Sequence, residues 1–455
     1  MTDHHRFSYD SLDSLGEDIR ELNVKLPLTE STGILRKPVA LAQVNAPNRL
    51  LVQPMEGCDG TSDGRPGELT IRRYERFASG GAGVLWFEAT AVVPEGRANP
   101  RQLYLSRDTM GDFKTMLRKS LDAVTDRFGA DFRPYTVLQL THSGRYSRPL
   151  DKPCPIIAAS NPHLASKAPE PREPISDEEL MALEDRYVEA AKIAGEIGFD
   201  AVDIKSCHRY LISELLSAHL REGLYGGSFE NRTRFLLNII DKIKTSCPDG
   251  PHVAVRMNAY DAIPYPYGWG VAEDDHQKID LSEPLRLVKL LSGRGVDLIN
   301  ITAGNPYFNP HVNRPYDTGP YVPLEHPLTG IARLLGIARE VQEAAPESAI
   351  VASGLSWLRD FAPHVAAACI EQRWFAFAGF GRQAFAYPDF AADILSGDGM
   401  DRKKCCIACG KCSEIMRFDG KSGCVIRDAE MYAPLYKAVS EGKASIVGKH
   451  VAEHV

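Results

Sequence analysis

Eight short apolar runs recur along the chain, at 50–55, 83–88, 134–140, 200–205, 253–258, 297–302, 349–353 and 374–379. Amphipathic stretches lie between them, among them 177–196, 231–245, 282–294 and 328–344. Strand–helix alternation of this kind belongs to the α/β class. Eight near-evenly spaced strands favour closure into a (β/α)8 TIM barrel over an open doubly wound sheet. Residues 1–48 are polar, weakly periodic and interrupted by Pro27, Pro38 and Pro47, which predicts an extension followed by a hairpin around 39–44. A helix over 389–396 leads out of the last strand. The final thirty residues, rich in Lys and Ala, read as helical.

A second constraint lies near the end, where Cys406, Cys409, Cys412 and Cys424 form a C-x2-C-x2-C-x11-C pattern. Three thiolates two residues apart can take three corners of an iron–sulfur cube, and Gly420 and Gly423 let the intervening loop bring back the fourth. A four-cysteine zinc site is the alternative, although such sites usually join two separated pairs. Five of the ten cysteines cluster at 405–424, which is metal-site usage and not a disulfide framework. With 455 residues, 44% hydrophobic and 25% charged, the chain can bury a large core. A net charge of −7 argues against a nucleic-acid partner. No 18-residue apolar stretch predicts a membrane span, and no apolar run follows the N-terminus as in a signal peptide. The expected setting is reducing and cytoplasmic.

In a barrel, chemistry sits at the C-terminal ends of the strands. Those ends carry Pro54 and Met55, Glu88, Gln139 with His142, Lys205, His208 and Tyr210, Arg256, the loop to Tyr307, Ser353 and Gly354, and Gly381 with Arg382. Polar residues that end apolar strands are poor core filling, because buried polar groups need partners. Amide, guanidinium and small residues in a ring suit a planar cofactor that ends in a phosphate, held after strands seven and eight. Residues 379–384 formally match the dinucleotide fingerprint, but no strand–helix–strand unit follows.

These residues carry a resemblance. The stretches LLVQPMEG at 50–57, DGRPGELTIRRYERFASGGAGVLWFEA at 63–89, LQLTHSGR at 138–145 and GFDAVDIKSCHRYLISELL at 198–216 resemble the old yellow enzyme superfamily of FMN-dependent ene-reductases. So do YGGSFENRTRF at 225–235, AVRMN at 254–258 and GRQAFAYPDF at 381–390. The cysteine pattern is similar to the iron–sulfur branch that includes 2,4-dienoyl-CoA reductase and trimethylamine dehydrogenase. The resemblance implies three units: 1–48 as extension and barrel-closing hairpin, 49–396 as FMN-binding barrel, and 397–455 as 4Fe–4S segment and C-terminal helix.

It also implies roles. Pro54 and Met55 would lie against the flavin ring, with Glu88 beside the cofactor site. Gln139 would meet the pyrimidine edge, and Arg256 the flavin N1–C2=O. Ser353, Gly354, Gly381 and Arg382 would hold the phosphate. His208 matches a carbonyl-binding position and Tyr210 the proton donor, while Lys205 replaces the usual histidine of the carbonyl-binding pair. Cys207 is a poor nucleophile candidate, since adjacent strand side chains point oppositely. Tyr307 and His311 are candidate pocket residues. The expected function is reduction of an activated C=C bond in an α,β-unsaturated carbonyl compound, with bulky planar enones of the flavonoid or steroid kind and enoyl thioesters among the candidates, by hydride from flavin N5 and a proton from Tyr210. About thirty residues follow Cys424 in the sequence, so further nucleotide-binding domains are not expected. Electrons are therefore expected from NAD(P)H directly or from a separate donor protein, and a homo-oligomer is compatible with the class. The competing expectations are an amine dehydrogenase that passes electrons outward and a non-catalytic electron-transfer subunit.

Overall fold

The computed structural model describes residues 5–42, 44–150, 152–164 and 173–442. A hairpin, β1 (Val39–Leu41) and β2 (Val44–Ala46), precedes eight parallel strands: β3 (Leu50–Val52), β4 (Val84–Ala91), β5 (Tyr135–Thr141), β6 (Ala201–Ile204), β7 (His252–Tyr260), β8 (Leu298–Ala303), β9 (Ala349–Ala352) and β10 (Phe377–Phe380). The strands pair in chain order and β10 closes on β3, so the sheet is a barrel. The predicted (β/α)8 fold is the observed one. Parallel strands wrapped by helices are buried on both faces, which is why they read as near-continuous apolar runs.

Leu51, Val84, Trp86, Val137, Ala254, Val351 and Phe377 fill the barrel interior, and Leu41 and Ala46 of the hairpin pack on the same cluster. The hairpin thus plugs the N-terminal mouth and leaves the C-terminal mouth for chemistry. Strand ends differ from the sequence reading by a few residues. β10 begins at Phe377, since Trp374 and Phe375 turn out of the sheet into the outer core.

The N-terminal extension is more ordered than its weak periodicity suggested. Ser11 caps the helix Leu12–Glu21 with a full capping box, and Leu15 and Ile19 bury its inner face. Ahead of it, Phe7 packs edge-on against Trp357 with ring centroids 5.4 Å apart, and its backbone N–H donates to Asp317 at 3.1 Å. The helix Ala429–Ser440 lies in the predicted C-terminal helical stretch, whose remainder falls outside the described residues. No helix among the described residues is long and apolar enough to cross a membrane.

Candidate active site and cysteine segment

The floor of the C-terminal mouth is a layer of buried polar side chains. Gln53 and Asn300 exchange amide hydrogen bonds at 3.2 and 2.8 Å across the barrel. Asp203, fully buried on β6, accepts from Trp86 Nε1 at 2.9 Å, Gln139 Nε2 at 2.6 Å and the Arg256 backbone N–H at 2.6 Å. Burial nevertheless pushes its carboxyl up to about 6. One Gln139 amide N–H is taken by Asp203, which leaves its carbonyl oxygen and its second N–H for a ligand. The sequence reading missed Asp203; its signal was a carboxylate two residues before Lys205 on an otherwise apolar strand.

Above this floor lies a cavity of about 420 Å³, within the usual range for ligand sites. Pro54, Met55, Gln139, Lys205, His208, Tyr210 and Arg256, seven residues picked from scattered strand ends, line it together. Gly381 lies behind the wall and not in it, where a Cβ would stand 2.8 Å from Met55 Sδ. Arg256 is buried and its Nε has no hydrogen-bond partner.

β6 delivers the strand-four cluster. Its backbone turns through left-handed conformations at His208 (φ 62°) and Arg209 (φ 61°) directly after Cys207. Arg209 anchors that turn through a buried pair with Asp261 at 3.0 Å. Lys205 Nζ sits 3.8 Å from the centroid of the Tyr210 ring, a cation–π contact that holds both side chains. Burial lowers the Lys205 pKa. The Asn313 amide lies 3.1 Å from His208 Nε2. Burial, with Arg256, Lys205 and Arg314 nearby, holds His208 well below the usual imidazole range, so the ring is neutral. The same Asn313 nitrogen also donates to Thr302 Oγ1 and to the Ala303 carbonyl, both at 3.0 Å. The Tyr210 hydroxyl is 3.0 Å from that of Tyr307, and burial holds it well above the ordinary phenol range. Cys207 lies outside the cavity wall, and burial pushes its thiol up to about 11, so it is no thiolate nucleophile.

Other sequence candidates lie elsewhere. The Glu88 carboxylate is absent from the cavity wall. It pairs with Arg73 at 2.5 Å and accepts from the Gly57 backbone N–H at 3.1 Å. The Ser353 hydroxyl donates to the Ile301 carbonyl at 3.0 Å, and Gly354 caps the turn after β9 in a left-handed conformation. Arg382 is buried, donates to the Pro315 carbonyl at 2.7 Å, leaves its Nη1 without a partner and lines the cysteine cavity. Tyr307 lines the cavity, whereas His311 pairs with Tyr321 at 2.6 Å outside it. His142 lies in a separate cleft, where burial lowers it to about 4.

Cys406, Cys409, Cys412 and Cys424 surround a second, smaller cavity together with Arg382 and Lys411. The segment is tied to the barrel mouth. Ala408 O accepts from the backbones of Asp317 and Thr318, the Cys406 N–H donates to Gln383 at 3.0 Å, and the Ser422 N–H donates to Gly57 at 2.6 Å. The short helix Lys411–Arg417 is a wall common to both cavities, with Cys412 on one side and Ser413, Met416 and Arg417 on the other. Among the described residues no group of three or more His, Cys, Asp or Glu converges on a point that would hold a single metal ion. Each thiolate of a cubane binds its own iron, so such a set stands wider apart than the ligands of one ion.

A closed parallel barrel with a polar-rimmed cavity at its C-terminal mouth is the architecture of a TIM-barrel enzyme. The chain belongs to the NADH:flavin oxidoreductase / NADH oxidase family, whose model matches residues 35–312, and is an FMN-dependent oxidoreductase of the old yellow enzyme superfamily. A similar relative is an NADPH dehydrogenase of Halalkalibacterium halodurans, 33% identical over 267 residues, covering 57% of this chain and 70% of the relative. A 2-naphthoyl-CoA reductase complexed with 2-naphthoyl-CoA has a similar fold, with a TM-score of 0.69 at 19% identity over 91% of this chain. Histamine dehydrogenase from Rhizobium sp. 4-9 aligns with a TM-score of 0.68 at 20% identity over 90% of this chain. The chain spans 59% and 53% of the lengths of those two chains.

Proposed function

We propose that this protein is an FMN- and 4Fe–4S-containing ene-reductase that reduces the C=C bond of an α,β-unsaturated carbonyl compound. The observation that carries the reading is the gathering of Lys205, His208 and Tyr210 in one cavity with Pro54, Met55, Gln139 and Arg256. The lining fits a flavin: the Gln139 side-chain amide and the buried Arg256 guanidinium with an unpartnered Nε. Bound FMN supplies the hydride equivalent.

The chain's own groups do the rest. Lys205 and the neutral His208 ring N–H are donors suited to the substrate carbonyl, and drawing electron density toward that oxygen makes Cβ electrophilic. Arg256 offers positive charge where reduced flavin is negative. Tyr210 holds a proton for Cα, and Tyr307, half-exposed at 47%, is the hydroxyl through which it can be reprotonated. Tyr307→Phe is expected to lower kcat about 3- to 10-fold, the worth of one neutral hydrogen bond. Steady-state rates of correctly flavinated variant and parent check this.

The cysteine pattern and the shared wall support a cluster that exchanges electrons with the flavin, and a separate donor protein would reach it from the outer side of the segment. An anaerobic preparation should contain about four irons and four acid-labile sulfides per chain. Serine at Cys412 should reduce both, with FMN retained. An optical and metal assay, followed by dithionite titration and reoxidation with enones, enoyl thioesters and flavones, tests the whole reading. Zinc in place of iron would make the segment structural. A reduced enzyme that ignores every unsaturated acceptor but is formed by methylated amines would favour an amine dehydrogenase.

A further inference from the structure

The cysteine cavity has a buried side and an outer side, and both carry cations. Arg382 lines the buried side, and Arg314 donates to Ser413 Oγ at 3.0 Å on the helix that holds Cys412. These two arginines draw the Cys412 thiol down against burial, and Arg382 does the same for Cys406. On the outer side, Lys411 and Arg427 line the rim with Ile407 and Ile426. Arg427 donates to the Cys405 carbonyl at 3.2 Å, and Lys403 lies two residues before Cys405. Among the described residues no carboxylate lies within ion-pair distance of Lys403, Lys411 or Arg427. Between Asp401 and Asp428 the segment carries seven Lys and Arg against two Asp and Glu, in a chain whose net charge is −7. Cys409, Cys412 and Cys424 are part-exposed, so the cavity reaches the surface on this side. The loop strapped to the segment adds apolar area. A Cβ on Gly410 would stand 3.0 Å from the Thr318 carbonyl, and a few residues on Val322 and Leu324 are 52% and 98% exposed.

We infer that this outer face, with Lys403, Lys411 and Arg427 around Ile407 and Ile426 and the loop to Leu324 beside them, docks a small acidic one-electron carrier protein. The inference rests on the iron–sulfur reading for the electron route and adds the footprint and the chemistry of the partner. Exposed apolar side chains ringed by unpaired cations fit a protein face of opposite charge. Position favours an electron carrier over a hydride donor. A hydride donor would have to enter the barrel-mouth cavity, on the other side of the helix Lys411–Arg417, whereas an electron needs no shared cavity. Reduction of one C=C bond takes two electrons and two protons. Two encounters, each oxidising one carrier by one electron, supply the electrons, and Tyr210 and water supply the protons.

The anaerobic holoenzyme, mixed with a reduced acidic bacterial ferredoxin in stopped flow, tests this. Calorimetric binding of the oxidised ferredoxin gives a readout without turnover. The second-order rate of enzyme reduction is expected to fall about 10-fold or more between about 50 and 500 mM salt. Lys403→Glu with Arg427→Glu should lower that rate about 10- to 100-fold at low salt and weaken binding in step, and the gap should close at high salt. Reduction by the methyl viologen radical, itself a cation, should be no slower in this variant than in the parent. Leu324→Asp, at a position too exposed to disturb the fold, should weaken ferredoxin binding by itself. Iron, sulfide and FMN contents verify each preparation. A rate that is flat in salt, or a loss shared equally by ferredoxin and viologen, overturns the inference, as does a homo-oligomer that buries Leu324 and Arg427. Salt-sensitive ferredoxin binding to an iron-free preparation supports the docking face and counts against the cluster. Salt-sensitive reduction by ferredoxin, with no unsaturated acceptor then consumed, supports the face and counts against the ene-reductase reading.

Discussion

Tyr210→Phe is expected to slow substrate reduction about 10²- to 10⁴-fold, the usual contribution of a positioned general acid. Reduction of the flavin by its electron donor should continue at the parental rate. The reason is geometric. The Tyr210 ring is 3% exposed and lies against Lys205 at 3.8 Å, with its hydroxyl bonded to Tyr307, so phenylalanine keeps the ring contact and removes only the proton. Burial holds the hydroxyl protonated through neutral pH, so the parental oxidative half-reaction should show no break there from this group. Stopped-flow measurement of the two half-reactions separates the cases. If the oxidative half-reaction is untouched, the proton comes from elsewhere.

The second large effect is on stability. Arg73 is 3% exposed and stands between the carboxylates of Asp59 and Glu88, themselves 0% and 2% exposed. Thr70 donates to Asp59 at 2.7 Å, and the Gly57 N–H donates to Glu88 at 3.1 Å. Arg73→Met would strand two buried carboxylates, at a cost of about 3–5 kcal/mol. The damage should spread, because Gly57 also accepts the Ser422 N–H that ties down the cysteine segment. A Cβ on Gly57 would fall 1.6 Å from the Arg73 guanidinium, so the loop and the ion pair are built around one another. Denaturant titration measures the loss, and removal of all three charges together should cost less than removal of Arg73 alone. A shift below about 1 kcal/mol would show that water reaches the pair.

The same network explains a limit of sequence reading. Glu88 ends the apolar run 83–88 of the sequence, as a cofactor ligand would, but β4 continues to Ala91 and the partner fifteen residues away shows that the carboxylate turns to the helix Glu68–Ala78. Arg382 follows the same logic. Its place after the last strand suggests a phosphate, and the sequence gives no sign that it also lines the cavity of Cys406 and Cys412. Asp203 was hidden among apolar neighbours, and Arg314 lies in a long loop without a periodic pattern.

What the sequence determined by itself was whatever short-range chemistry dictates. Eight apolar runs must pair, and parallel pairing under helices closes them into a barrel. Lys205, His208 and Tyr210 share one strand end and so reach one place. The cysteine spacing allows its four thiols to surround one cavity. Only the tertiary structure decided which charges meet. Gln53 bonds Asn300 across 247 positions, Phe7 bonds Asp317 across 310, and Arg314 meets Ser413 across 99. A buried polar side chain takes its role from the partner that satisfies it, and the chain order carries no local signal of which distant residue that partner is.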